Sequence, residues 1–143
     1  MPKPLVVDAS LVFRLLLPGS HQAEVQSLVA GWLADGYEMH APSLWAYELA
    51  SALYKAVHFG QITAEEGERA LGLAQRLGVR LVAPGDGWVR RAWAWTLRLD
   101  RAAAYDSFYL ALAEELGCDL WTADRHLFRA VDVAWVRVVG AAG

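Results

Sequence analysis

The chain has 143 residues, the size of one ordinary domain, and 56% of them are hydrophobic with seven Trp, enough for a large core. Only 20% are charged and the formal net charge is −3, which excludes a disordered chain and argues against nucleic-acid binding by bulk positive charge. One cysteine, Cys118, excludes an intramolecular disulfide, and no uncharged apolar run is long enough for a membrane span. Leu5-Val6-Val7 is too short for a secretory leader, so a cytoplasmic location is expected. Eleven of the thirteen basic residues are Arg and there is no Asn, which fits either a thermophile or a biased genome.

The elements alternate in type along the chain. Leu5 to Val7 reads as a short strand, and Ser10 to Leu17 as a helix stopped by Pro18-Gly19. Ser20 is expected to cap a helix reaching about Ala34, and Glu38 to Ala41 forms the next strand. Ser43 is expected to cap a long helix from Leu44 to about Phe59, ended by Gly60. Thr63-Ala64-Glu65-Glu66 is a capping box for a helix to about Leu77, followed by a strand from Arg80 to Ala83. Asp86 should cap a Trp-rich helix ending near Leu99, and a further helix covers about Ala103 to Leu116. Leu120 to Thr122 is a strand, a short helix follows Asp124, and Val133 to Val139 is the last strand. The tail from Gly140 to Gly143 should fray. Short apolar strands alternating with helices predict a parallel sheet covered on both faces.

Such sheets bind ligands beyond the carboxyl ends of their strands. Asp8 follows the first strand directly, and Asp124 lies two residues past Thr122, so both carboxylates fall on that edge. Asp106 has Tyr109, Leu110 and Ala113 at i+3, i+4 and i+7, an apolar face that should turn it inward. Glu48 lies one turn into its helix, on a face with Leu44, Ser51 and Lys55, and can point along the sheet edge. Each residue also has a plainer reading. Asp8 or Ser10 could cap the first helix, Asp124 could cap the helix from Arg125, and Glu48 could be solvated. Asp106 could be a first-turn Asp favoured by the helix dipole, and Ser10 and Thr122 local hydrogen-bonders.

In combination the four acids point to a cation. Carboxylates about 6 Å apart repel by roughly 3 kcal/mol at an effective dielectric near 20, and a bound ion removes that cost. Oxygen-only ligands select a hard ion, Mg²⁺ or Mn²⁺; the histidines at 21, 40, 58 and 126 have no zinc spacing.

Four blocks then resemble the PIN domain: Val7-Asp8-Ala9-Ser10, the helix with Glu48, Tyr105 to Ala113 with Asp106, and Leu120 to Asp124. The likeness extends over nearly the whole chain, 1–143, as one PIN domain, and most closely to the short VapC-type toxins of toxin–antitoxin pairs. It implies an α/β/α sandwich around a mostly parallel five-stranded sheet. It also implies a Mg²⁺- or Mn²⁺-dependent endoribonuclease whose metal site falls on Asp8, Glu48, Asp106 and Asp124, with Ser10 and Thr122 as outer ligands. RNA would be held by positive groups, with Lys55, Arg98, Arg101, Arg125 and Arg129 as candidates because they lie near the acids in sequence. The resemblance also implies a homodimer and a small antitoxin partner. On the Trp-rich helix, Trp88, Ala92, Trp95 and Leu99 form one apolar stripe and Val89, Trp93 and Leu97 a second, which fits a buried or interfacial helix.

Rival readings stay open. A receiver-type phosphorylation domain also gathers acids at strand ends, but it needs a Lys on the late sheet edge, and the only lysines are Lys3 and Lys55. An acid phosphotransferase needs Asp-x-Asp, and position 10 is Ser. A PIN-like nuclease acting in RNA processing or on DNA without an antitoxin would share the acids.

Overall fold

A computed structural model of the chain describes residues 2–101 and 104–140. Five strands form one sheet: β1 (Lys3–Val7), β2 (Tyr37–Pro42), β3 (Arg80–Val82), β4 (Leu120–Thr122) and β5 (Val136–Val138). Their order is β3-β2-β1-β4-β5, and every neighbouring pair is parallel. The chain thus lays strands outward on one side of β1 and then crosses to the other side. The reversal falls between β1 and β4, where Val7 is in register with Trp121.

Seven helices cover the sheet: α1 (Ala9–Leu16), α2 (Gln22–Ala34), α3 (Leu44–His58), α4 (Ala64–Arg76), α5 (Asp86–Leu99), α6 (Tyr105–Leu116) and α7 (Arg125–Val131). Helices α2, α3 and α4 group around α1, whereas α6 packs on β1, β2 and β4 with α5 against it. The result is the expected α/β/α arrangement, with a sheet that is wholly rather than mostly parallel. Burial on both faces explains the unbroken apolar run Leu5-Val6-Val7, where Val6 and Val7 are fully enclosed. No helix among the described residues is long and apolar enough to cross a membrane.

The capping box forms as expected. Glu66 N–H donates to Thr63 Oγ1 at 3.1 Å, and Thr63 N–H donates to Glu66 Oε1 at 2.9 Å. Where α3 ends, Gly60 takes φ +74°, the left-handed value that glycine adopts without cost. Helix α4 then approaches α3 closely, because a Cβ on Gly67 would sit 2.9 Å from Val57 Cγ2.

Three expected caps differ. His21, not Ser20, precedes α2, and its side chain makes no capping bond. Ser43 stands at the cap of α3 but is itself helical, so its hydroxyl caps nothing. Asp86 is already the first residue of α5, after Gly85. The last strand is also shorter than the apolar run Val133 to Val139 suggests. Asp132 turns left-handed at φ 50° to end α7, and Val136 N–H donates back to Val133 O, so residues 133–135 form a turn. The expected start of α6 at Ala103 and the tail residues 141–143 lie outside the described residues.

Candidate metal centre

The switch between β1 and β4 brings Asp8 and Asp124 to the same edge. Asp8 N–H donates to Trp121 O at 3.2 Å, which carries the pairing one residue beyond β1. Both plainer readings of these residues hold at the same time. Asp8 caps α1, accepting from Leu11 N–H through Oδ1 at 3.0 Å. Asp124 caps α7, its Oδ1 accepting from His126 N–H at 2.9 Å and Leu127 N–H at 3.1 Å.

Two hydroxyls fix Asp8 further. Ser10 Oγ donates to Asp8 Oδ1 at 2.7 Å and accepts from Ala123 N–H at 3.0 Å. Thr122 Oγ1 donates to Asp8 Oδ2 and accepts from Asp124 N–H at 2.9 Å. The hydroxyls lie 3.3 Å apart, each with its single proton spent on Asp8. Oδ1 of Asp8 therefore accepts two bonds and Oδ2 one. One lone pair of Asp8 Oδ2, and Asp124 Oδ2, remain for a ligand among the described residues.

Asp106 sits in the first turn of α6, half-buried, and the face that turns it inward is as expected: Tyr109, Leu110 and Ala113 are at most 1% exposed. Glu48, on α3, is half-buried as well. Its Oε1 accepts from the Tyr109 hydroxyl at 2.7 Å. The sequence pattern places Tyr109 only on an apolar face. The available signal was a tyrosine one turn after Asp106 on a buried stripe, since a buried phenol needs a partner.

The four carboxylates share an electrostatic field. Burial pushes the Asp8 carboxyl up to about 6, against hydrogen bonds from Thr122, Ser10 and Leu11, with a further push from Asp106. Burial raises Glu48, the Tyr109 bond lowers it, and Asp106 raises it again. Burial and then Asp124 raise Asp106, partly offset by Arg101. Asp106 is thus the common neighbour of the other three. Burial, the Glu48 bond and the charges of Glu48, Asp8 and Asp106 push the Tyr109 phenol upward, so it stays protonated and donates.

Among the described residues, no three His, Cys, Asp or Glu side chains already stand in a ligating cluster. The fit to a metal rests instead on donor chemistry. Oxygen-only groups of like charge, raised first by burial and then by a neighbouring carboxylate, as Asp8, Glu48 and Asp106 are, are what a hard divalent cation stabilises. Asp8, Asp106, Asp124 and Glu48 are the residues that could hold it.

The expected cations divide. Arg101 is close enough in field to lower Asp106. Arg125 donates to Gly140 O, and Arg98 lies 4.8 Å over the Trp95 ring. Lys55 and Arg129 are exposed in the last turns of α3 and α7. Lys3 begins β1, at the far end of that strand from Asp8, and lies over the Tyr37 ring, so it cannot be a receiver's lysine.

The family profile described as the PIN domain matches residues 5–134. The chain belongs to the PIN-domain family. Within it the similarity is to VapC proteins. Ribonuclease VapC9 of Mycobacterium tuberculosis is 36% identical over 123 residues, 86% of this chain and 87% of that protein. The solved structure of Mycobacterium tuberculosis VapC20, a sarcin–ricin loop cleaving toxin, superposes on this PIN domain with a TM-score of 0.69. It is 18% identical and covers 93% of this chain and 98% of that one. A toxin–antitoxin complex from Klebsiella pneumoniae gives a TM-score of 0.63 at 14% identity, over 92% and 94% of the two chains. These two likenesses bear on the fold alone. The five-stranded parallel sheet is that of the PIN neighbours.

Proposed function

We propose that this PIN domain is a Mg²⁺- or Mn²⁺-dependent endoribonuclease and the toxin of a toxin–antitoxin pair. The observation that supports it is the meeting of Asp8 and Asp124 at the β1–β4 switch point through Thr122, with the charge of Asp106 acting on both Asp8 and Glu48. The 36% identity to a VapC ribonuclease supplies the substrate class.

Asp8 and Asp124 would offer Oδ2, and Asp106 its carboxylate, to the cation. When bound, the cation would supply an acidified water and neutralise charge on the phosphate and the leaving oxygen. Glu48 would orient the attacking water and take its proton, through the oxygen that Tyr109 leaves open. Ser10 and Thr122 act through Asp8, whose position they fix. Water adds to phosphorus, the P–O3′ bond breaks, and the 3′-oxygen takes a proton from solvent, so the products carry a 5′-phosphate and a 3′-hydroxyl. Arg101 would meet RNA phosphate beside Asp106, and Lys55, Arg98 and Arg129 further out, with Arg125 held back by Gly140.

The proposed partners follow the same reading. An antitoxin helix would lie in the apolar groove between α3 and α4, lined by Leu53, Tyr54, Val57, Gly67 and Leu71, and send a basic side chain to the acids. Val89, Trp93 and Leu97, 46%, 67% and 67% exposed, would be covered by a second copy. Residues 1–143 would act as one domain in the cytoplasm. The test is RNA-end sequencing in cells expressing the wild type or Asp106→Asn. New 5′-phosphate ends should appear with the wild type alone; ends shared by both, or none with purified protein, Mn²⁺ and structured RNA, would sink the reading.

A further inference from the structure

We propose that Tyr109 is a positioning residue that holds Glu48 by one oxygen and so fixes where its carboxylate stands relative to Asp106. The proposal deepens the nuclease reading and rests on it.

Tyr109 is 1% exposed, and its ring is enclosed on α6 between residues of the core. Its hydroxyl is therefore a fixed point. It donates to Glu48 Oε1 at 2.7 Å, across 61 positions of sequence. A glutamate on a helix has several rotamers, and a half-buried one has no steric reason to choose the inward set. The phenol supplies that reason. It also ties α3, which carries Glu48, to α6, which carries Asp106 one turn before Tyr109. The spacing of two of the four acids is thereby set by one hydroxyl rather than by backbone packing alone.

The bond has a stereochemical consequence. A phenol has one proton, and here it occupies Oε1. Oε1 keeps one lone pair, as Asp8 Oδ2 does, so the bond fixes where the carboxylate stands and not how many oxygens it can offer. Groups that hydrogen-bond a metal-binding side chain affect metal affinity by about 10- to 100-fold.

The test is a double-mutant cycle on Mn²⁺ affinity, measured by calorimetry without RNA on the full chain. Tyr109→Phe keeps the ring and removes only the donor. It should weaken Mn²⁺ about ten-fold, and Glu48→Gln at least as much. In the Glu48→Gln background, Tyr109→Phe should add less than about two-fold. Glu48→Asp, which keeps the charge but withdraws it from the phenol, should also weaken Mn²⁺ about ten-fold and reports even where Tyr109→Phe is poorly folded. Equal losses from Tyr109→Phe in both backgrounds would make Tyr109 merely structural and overturn the proposal. So would wild-type affinity in Tyr109→Phe. If Glu48→Gln leaves both Mn²⁺ affinity and RNA cleavage unchanged, Glu48 is outside the site and that part of the nuclease reading falls with the proposal. If only the Tyr109 variant is silent, the nuclease reading stands and the positioning role alone is lost.

Discussion

The two ends of the sheet treat charge in opposite ways. Toward the amino end, opposites meet. Asp119 accepts from Arg137 Nε at 2.7 Å, the Arg137 guanidinium lies 5.9 Å from the Trp121 ring, and the Lys3 ammonium lies 4.2 Å over Tyr37. Trp32 packs on Trp121 with ring centroids 5.3 Å apart. At the carboxyl end, four acids share a field, and Arg101 is the cation that lowers one of them. Charges placed for stability come with partners. A like-charged group kept buried despite its cost is where function should be sought.

The largest expected effect tests that contrast directly. Asp106→Asn should lower RNA cleavage by more than about 100-fold, since under the proposed function it removes a ligand rather than a neighbour of one. Gel assays at fixed Mn²⁺ would show it, and retention of most activity would break the contrast.

Asp8 gives the next effect, on stability. Its folded pKa, about 6, lies above the ordinary 3.8, so the folded state holds the extra proton. This group therefore stabilises the fold least above pH 6, and stability should rise as pH falls from 6 toward 4. A shift of that size corresponds to about 3 kcal/mol against the ionised form. Asp8→Asn should stabilise the metal-free protein at pH 8 by up to about 3 kcal/mol and flatten the trend. Denaturant melts at pH 5 and pH 8 measure both, and a less stable variant at pH 8 would refute the burial cost. Mn²⁺ at about 100 times its dissociation constant should add about 2.7 kcal/mol to the wild type, and much less to Asp106→Asn. The smallest effect belongs to the other end: Arg137→Ala should cost no more than about 1 kcal/mol and leave cleavage unchanged.

Much of this was legible in local pattern. The apolar run of β1, the Thr63 box and the inward face of Asp106 depend on neighbours a few residues away, and each appears as read. What was not legible depends on distant pairing. No pattern near Leu5 or Leu120 says that β1 and β4 lie side by side, so the switch point was invisible even though its acids were placed at strand ends. Local pattern does not determine Glu48 for the same reason, because its partner lies 61 positions away on an apolar helix face. Small polar residues misled in another way. Ser20, Ser43 and Asp86 all suit a cap, but a cap also needs an extended backbone at that residue, which composition does not report.

The double employment of Asp8 and Asp124 as helix caps bears on how a lineage carrying this fold can change. Asn and Ser cap helices about as well as Asp, whereas Ala costs about 1 kcal/mol. A descendant released from selection for cleavage should therefore drift to Asn or Ser at these two positions and to a far wider set at Asp106, which caps nothing, while Glu48 stays answerable to the Tyr109 hydroxyl. Silenced copies would then be recognisable by uneven decay among the four acids, and the route to silence would pass through proteins more stable than their active ancestors.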